Sequence, residues 1–161
     1  MWNLGGLFRL SGNIDAQRLA DAANAVIAAH PALSTIFFWN PEGDIIQRYA
    51  PELIDPVEVE EVSEKQLEVI GRSLIRPFKI IRSCLFRCRV FRTEKACYLF
   101  LDIHHTICDG TSYNVLLRDI DAAHGGHVFE KKDCYYELLR AREQMMEDPF
   151  YLESKEYFEK R

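Results

Sequence analysis

Several kinds of specialised chain are excluded by what this sequence lacks. Its 161 residues contain no apolar run of the roughly 20 residues that a membrane-spanning helix needs, and no basic-then-apolar leader. Lysine and arginine are outnumbered, 20 against 25 aspartates and glutamates, for a formal net charge of -5. A surface built to neutralise phosphates needs clustered cations, so nucleic acid is not an expected partner, and neither is a membrane. No repeat or low-complexity linker breaks the chain, and the acidic Glu58, Glu60 and Glu61 read as a solvated face.

Cysteine is scarce and unpaired. Cys84, Cys88, Cys97, Cys108 and Cys134 make an odd set with no Cys-x-x-Cys spacing. Cys-x3-Cys inside an apolar strand lacks the turn of a zinc site even with His104 and His105 nearby, so no metal is expected and the cysteines read as buried thiols. A reducing cytoplasm is the expected setting. What the chain does have is 48% hydrophobic, 12% aromatic and 28% charged residues, the balance of a globular domain. A domain of this length buries about 70% of the surface its unfolded form exposes.

Periodicity supplies the elements. Residues 4–10 read as a strand, followed by a helix with Asp15 near its start and Leu19, Ala22, Ala23, Val26 and Ile27 on its buried face, stopped before Pro31. Residues 33–39 and 45–49 read as a hairpin around Asn40-Pro41-Glu42-Gly43. A short strand at 57–59 precedes a helix capped by Ser63 and Gln66, with Leu67, Ile70 and Leu74 inward and Pro77 beyond it. Residues 84–91 and 96–103 predict a second hairpin. A helix then begins near Asp109-Gly110-Thr111-Ser112 and ends at Gly125-Gly126. Residues 134–146 and 149–160 predict two helices divided at Asp148-Pro149. Strands interleaved with helices imply an α/β fold, a two-layer sandwich with helices packed on a mixed sheet, in one lobe without an internal boundary.

The chemistry concentrates where the strand at 96–103 runs into His104 and His105. Neighbouring strand residues face opposite ways, so only one histidine can address a given pocket. His105 shares parity with Cys97, Leu99, Leu101 and Ile103 and is the expected interior residue; His104 falls in line with Tyr98, Phe100 and Asp102. An imidazole, with an ordinary pKa of about 6.5, accepts a proton near neutral pH. Asp109 could orient the loop by a hydrogen bond or ion pair, or cap the helix. Gly110 permits close backbone approach, and Ser112 could donate to an oxyanion or simply help cap.

The string His104-His105-Thr106-Ile107-Cys108-Asp109-Gly110 resembles the His-His-x-x-x-Asp-Gly motif of the condensation domains of nonribosomal peptide synthetases, in the chloramphenicol-acetyltransferase-like group. "LSGNIDAQRLADAANAVIAAHPAL" and "RPFKIIRSCLFRCRVF" are similar to the family's first helix and to the segment ahead of its motif strand. The resemblance covers nearly the whole chain and implies the first, N-terminal lobe of such a domain, with the second lobe absent from residues 1–161. It implies that His105 is catalytic, as a base or a positioning group, that His104 and Asp109 support it, and that Gly110 leaves room beside a tunnel between lobes. No cofactor would be bound directly, because substrates arrive on the phosphopantetheine of peptidyl or acyl carrier proteins. Those carriers, the second lobe and neighbouring synthetase domains are the implied partners. Residues 1–161 alone are expected to be inactive.

One departure stands out. The family's Arg-His-x-x-Leu-Arg-Thr segment is matched by Ala29-His30-Pro31-Ala32-Leu33-Ser34-Thr35, without either arginine. Arg87 or Arg89 could then serve as the cation for Asp109. Alternatives are an epimerisation domain, which tends to carry Ser-Trp-Arg where this chain has Ser112-Tyr113-Asn114, a lobe of a coenzyme A acyltransferase, or a degenerate noncatalytic module that docks carriers. An aspartate-rich heterocyclisation motif is not present.

Overall fold

A computed structural model describes residues 2–130 and 134–160. The first strand, β1 (Asn3–Leu10), leads into α1 (Ala16–Ala29), where the Asp15 side chain accepts the Arg18 backbone N–H and caps the helix. Leu19, Ala22, Ala23, Val26 and Ile27 are all buried along one side of α1. The helix stops before Pro31, which opens a single 3-10 turn, Pro31–Ser34. That turn takes the first residues expected of the next strand, so β2 is Thr35–Trp39 and pairs antiparallel with β3 (Ile45–Tyr49). Gly43 has φ 92° in the connecting turn, a conformation that L side chains resist.

Beyond a short β4 (Val59–Glu61), Ser63 and Gln66 form the expected reciprocal cap on α2 (Glu64–Leu74). The helix ends three residues before Pro77, because Ile75 is already extended. Next come β5 (Phe86–Arg92), β6 (Cys97–His104) and α3 (Gly110–His124). The four-stranded sheet has the order β1-β6-β5-β4, antiparallel except for β4, which runs parallel to β5. This is the mixed α/β sheet that the interleaved pattern implies.

Both sides of β6 are covered, which alternation in the sequence hides. Cys97, Leu99, Leu101 and Ile103 pack with α1 and α3 through Val26, Leu116 and Ile120. Phe100, on the opposite face, packs with Phe91 and with Leu67 and Leu74 of α2. The even-numbered face therefore holds Asp102 and His104 inside the protein, at 0% and 9% exposure.

Residues 1–131 and 132–161 form two compact units, whereas the sequence shows no boundary there. The second unit contains α4 (Cys134–Met146) and α5 (Pro149–Glu159), with Asp148 capping α5 through the Phe150 N–H. The division was legible in neither composition nor turn residues, since residues 134–146 and 149–160 read simply as two further helices. Among the described residues, no helix is long and apolar enough to cross a membrane.

Candidate functional site

The motif starts at the end of the best-buried strand and finishes at the start of α3. His104 closes β6: its backbone N–H donates to the Leu85 carbonyl at 2.8 Å. Its ring stands edge-on to Phe78, with centroids 6.0 Å apart and planes at 87°. The ring Nδ1 lies 3.2 Å from the Thr106 backbone nitrogen and accepts its N–H, so the proton of the neutral imidazole belongs on Nε2. The Ile107 N–H donates back to the His104 carbonyl and closes the turn.

His105 stands on that turn, and it is exposed. The expectation that it is the interior histidine is corrected: the buried member is His104. Parity stops governing side-chain direction where β6 stops, at His104. His105 keeps one ladder bond, from its N–H to the Trp2 carbonyl at 2.7 Å, and then the chain turns away. The buried place on the α1 and α3 side is filled instead by Cys108, at 5% exposure. Burial and the nearby Asp109 charge push the Cys108 thiol up to about 11, which keeps it neutral at pH 7.

Asp109 caps α3. One carboxylate oxygen accepts both the Ser112 N–H and the Ser112 hydroxyl, each at 2.7 Å. These two donors hold the carboxyl below the ordinary carboxylate range, with a smaller contribution from His105. Of the two roles left open for Asp109, the helix cap is the one realised. Neither Arg87 nor Arg89 is its cation. Arg87 bonds Asp102 at 2.7 Å, and Arg89 pairs with Glu60 at 3.2 Å. Both lie on β5 and meet charges on their neighbouring strands.

Gly110 is unusual among the glycines near the motif because the lobe itself does not require it. A Cβ built there meets nothing within 4 Å, and its backbone does not occupy the left-handed region. The space beside it is open. Next to the same helix start lies a groove of about 260 Å³, bordered by His30, Leu33, Ile107, Cys108, Ser112 and Leu116.

At the missing-arginine segment, Ser34 is 4% exposed. His30 instead reaches α3, with Nε2 3.1 Å from Asp119, whose other oxygen meets Arg118. This link between α1 and α3 was missed in the sequence, where His30 and Asp119 are 89 residues apart. Asp102, Asn3 and Phe78 were also missed, and Arg87 was named only as a cation for Asp109, whereas its partner is Asp102. The available signal was Asp102 itself, a lone carboxylate within an apolar strand, which calls for a buried partner.

No three or more His, Cys, Asp or Glu side chains among the described residues gather as a metal site. Cys84, Cys88, Cys97 and Cys108 are free thiols, and burial pushes Cys88 up to about 12.

A mixed sheet with its histidine pair where a central strand ends, ahead of a capped helix, is a fold of the chloramphenicol-acetyltransferase-like kind. The starter condensation domain of rhizomide synthetase has the same fold, with a TM-score of 0.79 at 16% identity over 99% of this chain and 42% of that one. The chain belongs to the condensation domain family, whose model matches residues 1–161. Tyrocidine synthase 3 of Brevibacillus parabrevis is 32% identical over 141 residues, 87% of this chain. The matched stretch spans only 2% of that much longer protein. The X-domain from teicoplanin biosynthesis, solved in a complex with OxyB, is 26% identical with a TM-score of 0.66, over 82% of this chain and 30% of its own.

Proposed function

We propose that this lobe contributes the reactive histidine to amide-bond formation in nonribosomal peptide synthesis. The amine of a carrier-bound aminoacyl thioester attacks the carbonyl carbon of a second carrier-bound acyl or peptidyl thioester. The new C–N bond replaces the C–S bond, the donor's phosphopantetheine thiol leaves, and the amine's proton is passed on to it or to solvent. His105 accepts that proton or holds the amine in position; His104 and Asp109 fix the turn and the helix start on either side of it.

The observation that carries this reading is an exposed His105 and open space at Gly110, at the two ends of the turn between β6 and α3. A group held at a strand end and open to an incoming substrate is suited to general-base work, worth about 10²–10⁴-fold. The substrates come on the phosphopantetheine of carrier proteins, and the second lobe closes the tunnel over His105. Residues 1–161 by themselves are therefore inactive. A reducing cytoplasm suits the four thiols that are free among the described residues.

The test is reconstitution of the full-length protein with loaded carriers, comparing wild type with His105→Ala. Loss of about 10²–10⁴ in product formation is expected; unchanged product would end the assignment. A second reading is favoured by the likeness to the X-domain solved with OxyB and by the absent arginines at positions 29 and 34. In it, the lobe is a noncatalytic surface that docks a carrier or a neighbouring protein, and wild type and His105→Ala would be equally inactive while still binding loaded carrier.

A further inference from the structure

Behind the motif lies a buried ionic cluster that the proposed chemistry does not use. Asp102 is wholly buried on β6, two residues before His104. Directly across from it on β5 is Arg87, whose Nη1 donates to Asp102 at 2.7 Å and to the Arg76 carbonyl at 2.8 Å. Its Nη2 donates to the Pro77 carbonyl at 3.1 Å. On the other neighbouring strand, Asn3 donates its amide to Asp102 at 3.0 Å and to the same Arg76 carbonyl at 3.0 Å. Both of those acceptors lack hydrogens to give, which fixes the orientation of the Asn3 amide.

Gly5 faces Asp102 in the β1 register, and a Cβ there would lie 2.9 Å from the carboxylate oxygen. The carboxylate thus occupies the space of a missing side chain. Three strands and residues 76–78 are gathered around one charge. The guanidinium also lies over the Phe78 ring, 3.8 Å from its centroid, and Phe78 presents its edge relationship to His104.

We infer that Asp102, Arg87 and Asn3 form a clamp that positions the motif, acting through Phe78 on the ring of His104. His104 in turn holds the Thr106 N–H on Nδ1 and so sets the turn that carries His105. The chain of contacts is continuous from the buried charge to the exposed histidine. In this scheme they act on the motif through His104 and are positioning residues. Their effect on turnover rests on the proposed role of His105, while their effect on the turn does not.

Ring nitrogen NMR of the 15N-labelled protein, with amide exchange at Thr106, reads the turn directly. Wild type is expected to show His104 with its proton on Nε2 and a slowly exchanging Thr106 amide. Phe78→Leu cuts the link and leaves the ion pair intact, so both signatures should move while amide dispersion elsewhere stays as in wild type. Phe78→Tyr keeps the ring and should restore them. Arg87→Met with Asp102→Leu removes both charges together and should move them in the same way. In the full-length protein with loaded carriers, Phe78→Leu should lower kcat by roughly ten- to a hundredfold with KM for the carriers unchanged, the signature of a misplaced group.

Unchanged His104 and Thr106 signals in folded Phe78→Leu would overturn the clamp, whatever the activity. So would moved signals with unchanged kcat in a protein whose turnover depends on His105. Moved signals in a protein indifferent to His105→Ala would leave the clamp standing and remove only the proposed chemistry.

Discussion

The two aspartates that flank the histidine pair are held by opposite means. Asp102, on the strand side, is out of water and depends on a full-length cation and an amide from neighbouring strands. Asp109, on the helix side, is exposed and needs only Ser112, three residues on. The first is a long-range structure in low dielectric, where an unpaired charge is costly; the second is local and wet. The histidines divide in the same way, His104 buried in the frame and His105 outside it. The difference teaches that rigidity and availability are supplied by separate residues, one on each side of a single peptide bond.

Arg87→Met gives the largest way to break this contrast. It leaves Asp102 buried without its cation and should lower stability by about 3–5 kcal/mol, read from urea unfolding. Adding Asp102→Leu should recover most of that loss, since the uncompensated charge is gone. A single substitution as mild as a surface change would mean that the pair is not the frame. Asp109→Ala should cost less, as the loss of an exposed cap. Its pH dependence has a definite sign. Ser112 holds the folded-state carboxyl below its ordinary value, so the cap's contribution is complete above the unfolded pKa of about 3.9 and disappears as pH falls through the lower folded value. The difference in urea midpoint between wild type and Asp109→Ala should close on acidification through that window.

Gly110→Ala separates folding from use. The position has room for a methyl group and ordinary backbone, so stability should rise by about 0.4–1 kcal/mol. If that space receives an incoming group, as proposed, product formation in the full-length protein should fall. The smallest change in stability, within about 0.5 kcal/mol, is expected for His105→Ala, which removes an exposed side chain. A large loss there would show His105 to be part of the frame after all.

Much of the fold was legible because its signals are local. The caps at Asp15, Ser63 and Asp148, the stops at Pro31 and Gly125, and the inward face of α1 all depend on residues within a few positions of one another. The strand at 33–39 was shortened by the 3-10 turn that Pro31 starts, and β5 began two residues later than its apolar run suggested. The site was legible as a motif, and its geometry was not. Parity pointed inward at His105 because an alternating pattern carries no mark of where the ladder ends.

By itself, the sequence determined the mixed α/β lobe, the motif at residues 104–110 and the helix that follows, since each rests on period, turn chemistry or an unbroken string. Only the tertiary structure decided which histidine is exposed and which aspartate takes the arginine. Those outcomes depend on strands that are distant in the chain: Asn3 and Arg87 lie 99 and 15 residues from Asp102. A buried charge is satisfied by whichever donor the sheet register places across from it, and register is a property of the assembled sheet.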